Sequence, residues 1–451
     1  MYFCFKTNWQ MQRLEIRNFG PIRELEMEVP NCLVLIGPQA SGKSTISKAV
    51  YFFKSLRDDL VRFIYEKTLV EGFDFNAQDS RLEFKKQITA KFIGFWGTTK
   101  HLPGSFQMKF TYGRPNSYLR LTVEEGFVRS EFSPDFTKGI NGLFEAGNGI
   151  IAKQHEQRGR TTFASPIALE AEKMALYRRV ETLANELFGD DKETIFVPAG
   201  RSLLATLSDQ LSDIDPKRID DTLRAFLDRI KRTKSRFGQD MESMVEEARQ
   251  TTSVAIDNQL INQAQAMIGQ ILKGAYRSDP NQGEMIFFSP QQFVKLLYSS
   301  SGQQESVWIL LLIFSLLLDN RKAFIVLEEP EAHLYPEAQK YMVDLITLLA
   351  NAHAGNQVII TTHSPYILAA FNNLLMAHKV GQTSPGQVGA IVSPSLWLDH
   401  QLVGAYFVQN GVLENIIDPE LRMIKAEKID SASALINQVY DQLFDLEPID
   451  A

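Results

Sequence analysis

Between Leu14 and Pro30 the chain alternates apolar and polar residues. LEIRNFG and RELEMEVP flank a Gly-Pro turn, which predicts two half-buried antiparallel strands. NCLVLIG, residues 31–37, drops the alternation and reads as a strand covered on both faces. A helical period follows from about 44 to 67. Short strands punctuated by Gly and Pro are expected from about 83 to 133, and the Gly-rich, polar stretch 140–165 reads as a loop or crossing. TIFVPAGRS, residues 194–202, is a short buried strand that ends in a turn. From about 203 to 275 glycines thin out while charge and amphipathic periodicity lengthen, the pattern of a helical insertion. Beyond EMIFFSP come a polar loop, a long apolar helix, the strand FIVLEE, a helix opening near Pro336, the strand QVIITTHS, and a helix from about 365. Pro336 suits a first helical turn, where its missing N–H costs nothing. The order predicts an α/β fold with a mixed central sheet, an N-terminal antiparallel β part and a helical insertion. The expected divisions are residues 1–202, 203–275 and 276–451.

Composition adds limits. With 451 residues, 44% of them hydrophobic and 22% charged, the chain reads as globular. Cys4 and Cys32 stand far apart and match no metal-ligand spacing, so a reducing compartment fits and a cytoplasmic location is expected. The start MYFCFKTNWQM lacks the features of a signal peptide. The run Trp308–Leu318 is shorter than the roughly 20 residues of a membrane span and reads as a core helix, so no membrane partner is expected. A net charge of −7 argues against coating nucleic acid through global charge. KRIDDTLRAFLDRIKRTKSR, residues 217–236, carries eight Lys or Arg and reads as a solvated helix face, with a basic contact surface as the other reading.

The first chemical motif is GPQASGKS, residues 37–44, set between a strand and a helix. A phosphate chain needs inward-pointing backbone N–H groups without a Cβ in the way, which Gly37 and Gly42 permit, and a helix N-terminus facing the anion. Gly37, Pro38, Gln39, Ala40, Ser41, Gly42, Lys43, Ser44 and Thr45 are the expected nucleotide contacts. Lys43 would reach the β- and γ-phosphates of ATP, and the Ser44 hydroxyl would ligate Mg²⁺. A partner carboxylate belongs at the end of a neighbouring strand, and FIVLEE supplies Glu328 for the Mg²⁺ shell and Glu329 as general base. SSSGQQE, residues 299–305, opens the apolar helix and forms a second anion-binding helix N-terminus. Two such ends on one γ-phosphate imply that one is donated by another subunit. His363, directly after the strand VIITT, can hydrogen-bond the γ-phosphate as a sensor.

The order GPQASGKS, SSSGQQE, FIVLEEPEAHLYP, TTHSP resembles the ABC-type ATPase heads of the SMC, RecF and OLD group. LEIRNFGPIRELEMEV, FVPAGRS and LWLDHQLVGAYFVQNGVLENIID are similar to ATPases of this group from bacterial defence operons. The resemblance implies an ABC-ATPase head that hydrolyses ATP between two subunits, as a homodimer or larger homo-oligomer. It places Ser300, Gly302 and Gln303 against the γ-phosphate in trans, Pro330 and Glu331 in the D-loop at the dimer seam with His333 in the same turn, and His363 in the switch role. Ser301 stands where transporters have the first glycine of their signature, which is a departure. A Q-loop glutamine is also implied, with Gln78 and Gln87 as alternatives. OLD nucleases add a Toprim domain, whereas only about 88 residues follow His363 here, without a D-x-D after a buried strand. The plan therefore resembles the PtuA family of Septu and the AriA family of PARIS, and implies a separately encoded nuclease or other effector as partner. A RecF- or SMC-like repair ATPase that binds nucleic acid directly is the alternative. A transporter subunit fits poorly, because the insertion is long and the N-terminal strands follow the RecF pattern.

Overall fold

Cys32–Ile36 (β3) is buried at every residue because both of its faces are covered. Leu33 and Leu35 point into one hydrophobic core and Cys32, Val34 and Ile36 into the other. The computed structural model describes residues 11–68, 76–159, 166–201, 220–237, 240–251, 256–279, 281–425, 437–438 and 441–443. Glu193–Val197 (β7), Ala323–Glu328 (β11), Gln357–Thr362 (β12), Val403–Gln409 (β13) and Val412–Asn415 (β14) join β3 in a six-stranded sheet. Its order is β14-β13-β3-β12-β11-β7. All pairs are parallel except the β13–β14 hairpin, so the sheet is mixed. Its strands come from both ends of the chain. β11 and β12 also send alternate residues to opposite cores, which is why their sequences run apolar without alternation.

The second sheet is antiparallel: Arg13–Phe19 (β1), Ile22–Glu28 (β2), Gln107–Thr111 (β4), Tyr118–Glu124 (β5) and Phe127–Phe132 (β6), in the order β2-β1-β4-β5-β6. Here the alternation predicted for β1 and β2 is the buried-in, exposed-out pattern of a half-covered face. A third, three-stranded sheet is made of Ala275–Asp279 (β8), Gly283–Ser289 (β9) and Gln292–Lys295 (β10). The whole is a mixed α/β fold.

Two stretches differ from the sequence expectation. Strands were expected from about 83, but Ala77–Trp96 is a helix (α2), after Lys43–Glu66 (α1). Phe84, Ile88, Phe92 and Phe95 recur at helical spacing and are all buried. The expected loop at 140–165 begins instead as a helix, Pro134–Gly159 (α3), which anchors through Phe136, Ile140, Leu143 and Phe144. Its glycines lower intrinsic propensity, and burial of that apolar stripe overrides them. Pro166–Phe188 (α4) packs beside α3 and α1.

Within residues 203–275, which the sequence leads one to expect as an insertion, the described helices are Asp221–Phe237 (α5), Met241–Thr251 (α6) and Asn258–Leu272 (α7). Phe226, Leu227 and Ile230 of α5 are buried, and Arg229 pairs with Glu193 at 2.5 Å. The basic run thus turns one face inward, while residues 217–219 lie outside the described ones. The apolar helix is Ser301–Asp319 (α8), long and apolar enough in composition to cross a membrane. Every residue from Glu305 to Leu318 is buried, which makes it the core helix expected from its sequence. Pro336–Ala352 (α9) packs against α8 and Pro365–Gly381 (α10) against α9, each with proline in its first turn.

Candidate functional site

Parallel order places the C-terminal ends of β3, β12 and β11 side by side, and the loop or turn after each carries a motif. After β3 the chain makes the phosphate loop. An added Cβ at Gly37 would lie 2.0 Å from the Val408 carbonyl oxygen on β13, so only glycine lets the loop pass. Ala40 and Gly42 take left-handed backbone, at φ 57° and 110°. Gly42 caps α1 without any side-chain hydrogen bond, which leaves the first N–H groups of the helix directed at the loop. Lys43 is buried, and its Nζ donates to the carbonyl oxygens of Gly37 and Pro38, both at 2.8 Å. Burial pulls its pKa below the ordinary lysine value, against the opposing pull of Glu329 and Glu331. Pro38, Gln39, Ala40 and Ser44 are exposed, whereas Ser41 is buried and its Oγ has no hydrogen-bond partner among the described residues.

Glu328 closes β11 and is 5% exposed. Ser47 Oγ donates to its Oε1 at 3.4 Å. Burial raises the Glu328 pKa, while Lys48, the Ser44 hydroxyl and the Ala199 N–H act the other way. Glu329 has left-handed backbone, φ 44°, and its N–H donates to the Thr361 carbonyl oxygen. That turn out of the strand aims its carboxylate sideways: Oε1 lies 3.3 Å from His363 Nε2, at the end of β12. Glu331 is buried and ties the same two loops together, accepting from Thr362 Oγ1 at 2.5 Å and from the His363 N–H at 3.1 Å. Burial raises its pKa. Lys43, Ser44, Glu328, Glu329 and His363 are therefore gathered at one end of the sheet.

Ser300, Gly302 and Gln303 make their contacts elsewhere. Ser300 caps α8 through a reciprocal capping box with Gln303, whose Nε2 also donates to the Leu272 carbonyl oxygen at 2.7 Å. An added Cβ at Gly302 would meet the His333 carbonyl oxygen at 2.7 Å, so the helix start presses on the turn after Pro330. Gln78 and Gln87 both lie exposed on α2. Beside Thr45 opens a cleft of about 500 Å³, lined among others by Asn18, Phe19, Trp96, His101 and Leu102.

Sequence reasoning missed Arg201. It follows β7 and is fully buried, and its guanidinium donates to the carbonyl oxygens of Pro198, Glu305, Glu328 and Glu329. FVPAGRS advertised a turn, but apart from the Glu305 carboxylate the partners are main-chain oxygens, most of them in distant segments, and leave no mark in a single sequence.

The donor set suits a nucleoside triphosphate. An uncapped helix N-terminus, a loop closed to any Cβ at Gly37, a lysine held on loop carbonyls and the unpaired Ser41 hydroxyl all converge where phosphates would lie. Fold and site together define a phosphate-loop ATPase. The sequence matches the AAA ATPase domain family over residues 10–102 and 183–368, more than half of the chain. The chain belongs to that family and is an ATP-hydrolysing enzyme.

No curated protein matches the chain in sequence. Among solved structures it is similar to an SMC head bound to the C-winged helix domain of ScpA, at 12% identity and TM-score 0.39, over 90% of this chain and 97% of that one. An SMC head domain from Thermotoga maritima gives 12% identity and TM-score 0.35, over 90% and 98%. An SMC head with an extended coiled coil, bound to the C-terminal domain of ScpA derived from Pyrococcus furiosus, gives 11% and 0.36, over 96% and 99%. Likeness at this level says nothing of activity or partners.

Proposed function

We propose that the protein is an ABC-type ATPase that closes as a dimer on two shared ATP molecules. In this reading residues 1–202 and 276–451 form the ATPase lobes and 203–275 an insertion. Residues 37–45 hold the phosphates, Ser44 and Glu328 hold Mg²⁺, Glu329 is the general base, and His363 orients it and reports on the γ-phosphate. The metal would supply charge neutralisation on the phosphate oxygens. The nucleoside of ATP enters the cleft beside Thr45. Glu329 takes the proton of the attacking water at its carboxylate, and His363, 3.3 Å away, holds that carboxylate in place.

The observation that carries this reading is that spacing of Glu329 and His363 beside the phosphate loop. The shared site is supported by Ser300, which is exposed at the start of α8 while its own contacts stay within the capping box. Tyr298 and Tyr335 stand near it, 74% and 77% exposed. ATP then acts as a joint between subunits, and hydrolysis releases it. The output controls a separately encoded nuclease or other effector in anti-phage defence, an extension that rests on resemblance alone. Light scattering of Glu329→Gln with and without ATP tests the dimer, which should form only with nucleotide. Phage challenge of cells carrying the operon with wild type or Lys43→Ala tests the defence role. Equal protection by both would sink it, and ATPase activity stimulated by DNA on the isolated chain would favour the repair reading.

A further inference from the structure

β7 and β11 run in parallel register only as far as Leu327 and Val197. β7 ends there, and the N–H of Ala199, next in line along the edge that faces β11, turns to the Glu328 carboxylate instead. The Glu328 peptide carbonyl thus loses its strand neighbour at the point where the two glutamates begin. Arg201 takes that place. Its Nη1 donates to the Glu328 carbonyl oxygen at 2.7 Å and its Nη2 to that of Glu329 at 2.9 Å. Nη1 also holds the Pro198 carbonyl oxygen at 2.6 Å, which pins the turn itself.

The other side of Arg201 faces α8. Its Nε donates to the Glu305 carbonyl oxygen at 3.0 Å, its backbone N–H donates to Glu305 Oε2 at 2.9 Å, and Nε lies 3.4 Å from that same oxygen. Glu305 stands one turn into the helix that Ser300 caps. Both side chains are buried, Arg201 at 0% exposure and Glu305 at 2%. A guanidinium has five N–H groups in a rigid fork, so it can hold three chain segments at fixed spacing, which an ammonium cannot.

Glu329 is the residue that needs such support. Its left-handed backbone costs a non-glycine residue about 1 kcal/mol or more and persists only where the surroundings hold it. Thr361 holds its N–H and Arg201 its carbonyl. We propose that Arg201 is a positioning residue for ATP hydrolysis, which couples the start of α8 through Glu305 to the carboxylate of Glu329. A shift of α8 when its capped end meets a nucleotide is passed to the general base through one buried side chain. The inference rests on the reading of Glu329 as base and of α8 as the helix that meets the γ-phosphate.

The test compares Arg201→Lys, the paired Arg201→Met/Glu305→Met and Glu329→Gln in the full chain, reading ATP affinity, kcat and KM. Arg201→Lys keeps a charge beside Glu305 but loses the fork, and its kcat should fall about 100-fold, the effect of a misplacement near 1 Å, with KM little changed. The double variant keeps the pocket filled and leaves no lone buried charge, so it should fold and bind ATP. Its hydrolysis should be as slow as that of Arg201→Lys. Recovery of turnover in the double variant would mean that Arg201 only neutralises Glu305, and overturns the proposal. Loss of ATP binding in both Arg201 variants would make Arg201 a fold staple, which overturns it too. A slow Glu329→Gln beside a fast Arg201→Lys sinks this inference alone, whereas a fast Glu329→Gln removes the general base and the inference together.

Discussion

Glu329 and His363 face each other at 3.3 Å across the ends of two parallel strands, β11 and β12, although 34 positions separate them in the chain. The pair forms because the Glu329 backbone turns left-handed and because Glu331 accepts the His363 N–H. Glu329→Gln should bind ATP normally and hydrolyse it about 10²- to 10⁴-fold more slowly. His363→Ala should lose a smaller factor, about 10- to 100-fold in kcat, the worth of one hydrogen bond to a charged group. Single-turnover and steady-state assays on both variants check the order. A His363→Ala rate equal to wild type would detach His363 from the reaction.

Lys43→Ala should weaken ATP binding by about 10- to 100-fold or more. Among the described residues its Nζ donates to the loop carbonyls of Gly37 and Pro38, so the fold loses little by its removal. Calorimetric titration with ATP and a melting curve on the same sample separate the two effects. Normal affinity in a cooperatively folded variant would end the phosphate-loop assignment.

The shared site can be separated from the capping box. Ser300→Ala removes the cap and should cost about 1 kcal/mol of stability with the ATPase largely kept. Ser300→Arg adds bulk at an exposed helix start and should bind ATP through residues 37–45 yet fail to hydrolyse it. Mixed with Lys43→Ala it should regain part of the activity, since a mixed dimer has one intact loop opposite one intact helix start. Failure of that rescue, in a mixture shown to form mixed dimers, would place both elements in one subunit.

Glu328 makes a prediction about pH. Burial holds its carboxyl above the ordinary value of 4.5. A group whose pKa is raised by folding contributes stability below its unfolded pKa and loses it as pH rises through the folded value. The ionised Glu328 at neutral pH is therefore a cost to the nucleotide-free protein. Glu328→Gln should melt above wild type at pH 7, and the gap should close below about pH 4.5. Its Mg²⁺-dependent ATP hydrolysis should fall at the same time. A wild-type melting profile across that range would mean that the site solvates Glu328 after all.

Much of this protein is written in local patterns. The phosphate loop, the half-buried strands β1 and β2 and the apolar strands β3, β11 and β12 follow from residue types a few positions apart, because turn geometry and burial period are short-range properties. Proline at the first turns of α9 and α10 is equally local. The helix α2 and the start of α3 were not legible, since their apolar stripes are mixed with glycines and charges, and packing decided their form, α2 against β6 and α3 against α4. The site divides the same way. Sequence order named Lys43, Glu328, Glu329 and His363, but parallel pairing of β3, β12 and β11 is what sets their ends side by side. Arg201 is the limiting case: apart from the Glu305 carboxylate, the partners of its guanidinium are carbonyl oxygens of three segments up to 128 positions away, groups that every residue has. Such a contact is selected by where the backbones lie, and only the folded chain brings them within hydrogen-bonding distance.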